Sequence, residues 1–144
     1  MIAKEVIKEV SNNLKEILSL RTKKTLKKDG SFVTEGDIKC QNIILDIVNS
    51  KFSDLNLEVV SEEINSEDFL YDSDKNYLVV DPIDGTENFC NGLKEWGISL
   101  STYLEGTHFE SAIFLPELNE IGLSKSSGSS NFKAVPVYLD NARD

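Results

Sequence analysis

The chain is 144 residues long, 40% hydrophobic and 28% charged, with a formal net charge of −10. One domain is expected at that length, burying roughly 68–70% of the unfolded chain's surface. The acidic balance disfavours a nucleic-acid backbone as partner, no apolar run reaches the ~20 residues that span a membrane, and residues 1–20 alternate charged with apolar side chains, unlike a signal peptide, so the cytoplasm is the expected compartment.

Ile2, Ala3, Val6, Ile7, Val10, Leu14, Ile17 and Leu18 recur with helical period, which predicts one amphipathic helix over 2–20. The basic run Lys23, Lys24, Lys27 and Lys28 reads as a solvated linker. Its alternative is a mobile loop that closes over phosphate or metal, with Lys27 or Lys28 nearest. Thr34, with Asp37 three residues on, has the spacing of a helix N-cap with an acid in the first turn. Ile38, Gln41, Ile44, Leu45 and Val48 continue that pattern, so a second helix is expected over about 34–50. Cys40 and Cys90 lack metal-ligand spacing and read as buried free thiols.

Strands are expected at 57–61, 77–81, 95–104, 108–115 and 119–124, with Glu105-Gly106 as a hairpin turn. The first ends in Glu62-Glu63, adjacent carboxylates that repel unless a cation or solvent relieves them. Taken alone, that pair fits a solvated acidic loop. His108, the single histidine, reads as an exposed strand residue. Residues 124–130 are rich in Ser, Gly and Lys, and 135–139 fit either one more strand or a frayed end. The expected architecture is α+β, two helices packed on a mainly antiparallel sheet. Residues 1–124 form that domain, and 125–144 a flexible tail or the start of a further segment.

The densest chemistry lies at Asp81-Pro82-Ile83-Asp84-Gly85-Thr86. Pro82 holds Asp81 extended, and a turn at Ile83-Asp84-Gly85 would bring Asp84 back beside it. The Ile83 carbonyl would add a third oxygen, a donor set suited to Mg²⁺. Gly85 permits close approach of backbone to ligand. Thr86 adds a hydroxyl at an expected helix start, where free N–H groups favour an anion such as phosphate. A plain tight turn is the alternative, because Asp-Pro and Asp-Gly are common turn formers.

Val33-Thr34-Glu35-Gly36-Asp37, then Glu62-Glu63, then the Asp81–Thr86 hexapeptide and Glu87-Asn88-Phe89, in this order, resemble the inositol monophosphatase family of Mg²⁺-dependent, lithium-sensitive phosphomonoesterases. The resemblance implies the N-terminal half of that sugar-phosphatase fold. It implies that Glu62, Asp81 and the Ile83 carbonyl hold a first metal, and that Asp81 bridges to a second held by Asp84. Thr86 with Glu62 would activate the attacking water, with Asp37 and Glu63 in the surrounding acidic network. Asp84 and the N–H groups of Gly85 and Thr86 would hold the phosphate of a small phosphorylated metabolite, an inositol or sugar phosphate, or alternatively a 3′(2′),5′-bisphosphate nucleotide.

The family's second half, with its WDxAAG-type motif, has no counterpart here. Trp96, the single tryptophan, lies in Glu95-Trp96-Gly97 instead. An incomplete member that binds only metal and phosphate, or that needs a complementary chain, is therefore a second expectation. So is a homo-oligomer, because a half fold exposes the face that its other half would cover.

Overall fold

The computed structural model describes residues 2–61, 64, 69–126 and 132–138, with side chains described through residue 124. Helix α1 spans Ile2–Asn12 and α2 spans Leu14–Ser19. The predicted single helix breaks at Asn13. Its side-chain amide donates to the Glu9 carbonyl at 2.7 Å beside its own backbone N–H at 3.1 Å, and its backbone leaves helical geometry at φ −107°, ψ 9°. Both pieces keep the apolar stripe, and Val6, Val10 and Ile17 are fully buried.

The lysine-rich stretch is not a plain linker. Strand β1 (Lys24–Leu26) pairs with β2 (Phe32–Thr34) in a small antiparallel hairpin. Lys24 lies over the Phe32 ring at 4.5 Å, a cation–π contact that partly accounts for an exposed aromatic here. Helix α3 follows at Glu35–Lys51 and buries Cys40, Ile44, Ile47 and Val48. A short 3₁₀ turn, Ser53–Leu55, leads to the main sheet.

The main sheet has six strands in sequence order: β3 (Leu57–Ser61), β4 (Asn76–Asp84), β5 (Gly97–Leu104), β6 (Thr107–Leu115), β7 (Glu120–Ser126) and β8 (Phe132–Tyr138). Only β3 and β4 run parallel; every other pair is antiparallel. Of the alternatives for residues 135–139, the strand is the one that forms, through Tyr138. Glu105 and Gly106 both take positive φ (49° and 77°), as a two-residue hairpin requires. Helix α4 (Thr86–Cys90) sits between β4 and β5. The α+β expectation holds, with four helices in place of two among the described residues.

Strand alternation divides the sheet into unequal faces. Leu78, Val80, Ile98, Leu100, Ala112 and Phe114 point toward α1 and α3 and form the core with them. Val79 and Ile113 point the other way and are 42% and 58% exposed. Among the described residues no helix is long and apolar enough to cross a membrane.

Candidate active site

Asp81 and Asp84 come together through a β-bulge, rather than through the turn expected from the sequence. Asp81 pairs with Ser99 and Asp84 with Gly97, so three steps along β4 face two along β5. The extra residue cancels the strand's alternation and returns Asp84 to the same face as Asp81. The turn itself comes one residue later. Gly85 takes φ 86° and ψ 43°, a left-handed conformation that a side chain would strain, and it serves as the N-cap of α4.

Asp81, Ile83, Asp84, Gly85 and Thr86 line one cavity of about 400 Å³. The β1–β2 hairpin closes its other side with Lys27, Gly30, Ser31 and Phe32. Lys27 is the lysine that reaches the cavity; Lys28 is exposed and does not line it. Asp29 at the hairpin tip accepts from the Ser31 hydroxyl at 2.6 Å and its N–H at 2.9 Å, which lowers its carboxyl below the ordinary value. A larger, apolar hollow of about 530 Å³ lies against the open sheet face and shares Asp81. The smaller cavity carries the polar donors and is the candidate site.

Behind it runs a chain of hydrogen bonds. Thr34 and Asp37 form a complete capping box at the start of α3. The Asp37 carboxylate accepts from the Thr34 hydroxyl and, at 2.9 Å, from its N–H, while the Asp37 N–H donates to Thr34 Oγ1 at 3.0 Å. Its other oxygen accepts from the Thr86 hydroxyl at 3.1 Å. Thr86 Oγ1 also stands 3.2 Å from the Ile83 carbonyl oxygen. One hydroxyl hydrogen directed at either acceptor leaves the Thr86 oxygen with lone pairs able to accept. Asp37 is buried, only 3% exposed, so its reach to Thr86 is fixed by packing.

Glu62 and Glu63 lie outside the described residues. Strand β3 ends at Ser61, which pairs with Val80, one residue before Asp81. Among the described residues, no group of three or more His, Cys, Asp or Glu side chains is placed to hold a metal ion. Three described carboxylates, Asp81, Asp84 and Glu87, line the cavity together with Ile83 and Thr86, so the donors available there are oxygens. That set fits a hard divalent ion which keeps part of its water shell, as Mg²⁺ does.

Several residues that shape the site carry no motif. Gly36 leaves room for the Phe89 ring, whose atoms would stand 2.7 Å from a Cβ at that position. Phe89 packs edge-on to Trp96 at 4.9 Å, and the Arg21 guanidinium lies over Phe89 at 5.1 Å. The isolated tryptophan and the glycine in a helix's first turn were the available sequence signals; Arg21 and Glu117 offered none. His108 is half-buried and bonded through Nε2 to Ser111 Oγ at 2.7 Å, away from the cavity. Cys40 is buried as expected, and burial followed by the nearby Asp37 charge pushes its thiol well up. Cys90 is only half-buried, since α4 is a short surface helix, and burial raises its thiol too.

The profile of the inositol monophosphatase family matches residues 1–137. The chain belongs to the inositol monophosphatase family. A fructose-1,6-bisphosphatase/inositol-1-monophosphatase of Thermotoga maritima is 36% identical over 110 residues, 76% of this chain and 39% of that protein. The Nus factor SuhB of Pasteurella multocida is 26% identical over 120 residues, 83% of this chain and 43% of that protein. The fold is shared with a crystal structure of an IMPase/NADP phosphatase complexed with NADP and Ca²⁺, at a TM-score of 0.77 and 17% identity, over 94% of this chain and 49% of that one. The chain thus spans about two fifths of the length of these curated relatives. Family membership gives the bulge-borne carboxylates, the capped Asp37 and Thr86 a common context, that of a phosphatase fold.

Proposed function

We propose that this chain carries the metal- and phosphate-binding part of a Mg²⁺-dependent phosphomonoesterase that hydrolyses a small phosphorylated alcohol, an inositol or sugar phosphate. One observation carries the reading: Asp81, Ile83, Asp84, Gly85 and Thr86 line a single cavity, with Thr86 oriented from behind by buried Asp37. Mg²⁺ held by Asp81, Asp84 and the Ile83 carbonyl, with Glu62 as a further ligand, would lower the pKa of a bound water and screen the phosphate's charge. The Thr86 hydroxyl, its hydrogen committed to Asp37 or the Ile83 carbonyl, accepts a proton-side hydrogen bond from the attacking water and fixes its direction. Gly85 and Thr86 present backbone N–H groups to the phosphate at an α4 terminus without a side-chain cap. Asp84 would hold a second ion, whose charge would stabilise the leaving oxygen. Lys27, across the cavity, adds positive charge near the phosphate.

The test is phosphate release from inositol monophosphate, fructose 1,6-bisphosphate and adenosine 3′,5′-bisphosphate, with Mg²⁺ and with chelator. The reading expects Mg²⁺-dependent release from at least one of the first two. Release that is unaffected by chelator contradicts it.

A second reading is favoured by one observation, the exposed apolar side chains of Val79 and Ile113 on the open sheet face. On it the chain binds Mg²⁺ and phosphate without turnover, and a complementary chain or a second copy covers the open sheet face around Val79 and Ile113. Calorimetry would then show metal binding where the assay shows no release, and light scattering would show a species larger than the monomer.

A further inference from the structure

We propose that Glu117, in the turn between β6 and β7, is a positioning residue for the Asp84-Gly85-Thr86 turn, acting through Trp96 and Arg21; this rests on the phosphatase reading of that turn. A single carboxylate oxygen of Glu117 takes two donors, the Trp96 indole N–H at 2.6 Å and an Arg21 guanidinium N–H at 3.1 Å. The Arg21 and Glu117 side chains are only 18% and 11% exposed, so this ion pair works with little solvent screening. Arg21 reaches further, donating to the Phe89 carbonyl at 2.7 Å and to the Leu93 carbonyl at 3.1 Å. It therefore grips the last turn of α4 and the loop after it.

Trp96 carries the effect to the site. A Cβ built on Gly85 would stand 3.5 and 3.6 Å from Trp96 Cα and Cβ, and 3.3 Å from the Glu95 carbonyl. The backbone of the turn thus rests directly on the Glu95–Trp96 segment. Helix α4 has five residues, too few to hold its own geometry, so its placement depends on these contacts. A cavity of about 310 Å³, lined in part by Asp84, Gly85, Trp96 and Leu118, lies behind the turn. It gives the turn room to relax once Trp96 is released. Glu117 lines neither that cavity nor the one that faces Thr86, so its influence on the site is indirect.

The experiment compares Glu117→Ala with Glu117→Gln in the full chain. Glutamine keeps a carbonyl oxygen for the indole N–H; alanine removes both bonds. Two readouts are taken: the backbone amide resonances of Gly85 and Thr86 without metal, and the affinity for inorganic phosphate with Mg²⁺ present. The alanine variant is expected to shift or broaden both resonances and to weaken phosphate binding about tenfold, with the glutamine variant staying within about threefold of the parent. Unmoved resonances and unchanged affinity in Glu117→Ala overturn the proposal. If Glu117→Ala does not fold, Arg21→Met decides in the same way at Thr86 and in phosphate affinity. A parent chain that binds no phosphate with Mg²⁺ counts against the phosphatase reading, while the amide resonances still decide the role of Glu117.

Discussion

Helices α3 and α4 begin within hydrogen-bond reach of each other and end their chains of donors in opposite ways. The α3 terminus is closed: Thr34 and Asp37 satisfy each other's backbone N–H groups in a capping box. The α4 terminus is open: Gly85 has no side chain, and no side-chain cap is made. The link between them is Asp37, which closes its own helix with one oxygen and holds Thr86 of the other helix with its second. On the proposed reading, a terminus closed for stability orients one left open to a ligand.

The widest split between the two should come from the carboxylates beside the open end. Asp81→Asn and Asp84→Asn are expected to weaken Mg²⁺ binding by more than the ~10–100-fold typical of residues that only support a ligand, as read by calorimetry. Neither should alter the α3 cap. Next come paired hydroxyl deletions. Thr86→Ala should lower Mg²⁺-dependent phosphate release by roughly 10²–10⁴-fold, with unfolding free energy unchanged within about 0.5 kcal/mol. Thr34→Ala should do the reverse in emphasis, costing about 0.5–2 kcal/mol in a urea titration. Equal effects of both variants on stability would erase the distinction between a closed and an open terminus. A cycle of Asp37→Ala and Thr86→Ala, read in the rate of phosphate release, should show a coupling of roughly 0.5–3 kcal/mol, since the two side chains are bonded.

Gly36→Ala probes the contact between the two helices. The new methyl would meet Phe89 at 2.7 Å, and Phe89 is wholly buried against Trp96, so it has nowhere to swing. A cost of about 1–3 kcal/mol is expected, measured by denaturant titration. The smallest effect concerns pH. Burial holds the Cys40 thiol protonated in the fold, while the unfolded chain ionises near the ordinary value of 9.0. Above that pH the unfolded state binds fewer protons than the folded one, so stability falls as pH rises, by at most about 1.4 kcal/mol per pH unit. Urea midpoints taken at pH 8 and pH 10 should differ in that direction, and Cys40→Ala should reduce the difference.

Much of the candidate site was legible because its parts are local. Thr34 and Asp37 cap a helix three residues apart, and Asp81 through Thr86 are contiguous, so spacing alone pointed to them. The bulge was not legible, because it is defined by which residue of β5 stands opposite Asp84, a fact of pairing rather than of either strand's sequence. The clamp of Arg21, Trp96 and Glu117 was hidden for the same reason, with 96 residues separating Arg21 from Glu117. The break at Asn13 is a different failure: the apolar period runs straight through it, and only the backbone of that one residue departs from the helix. The β1–β2 hairpin was missed because its strands are three residues each and fully or mostly exposed, with no buried face to give a period of two.

Crystals soaked in millimolar Mn²⁺, a scattering substitute for Mg²⁺, test the central claim most directly. Anomalous density within about 2.0–2.4 Å of the Asp81 and Asp84 carboxylates and the Ile83 carbonyl, with a carboxylate of Glu62 completing the group, is the predicted result. Density at other acidic surfaces with none in the cavity between Asp81 and Thr86 would contradict it.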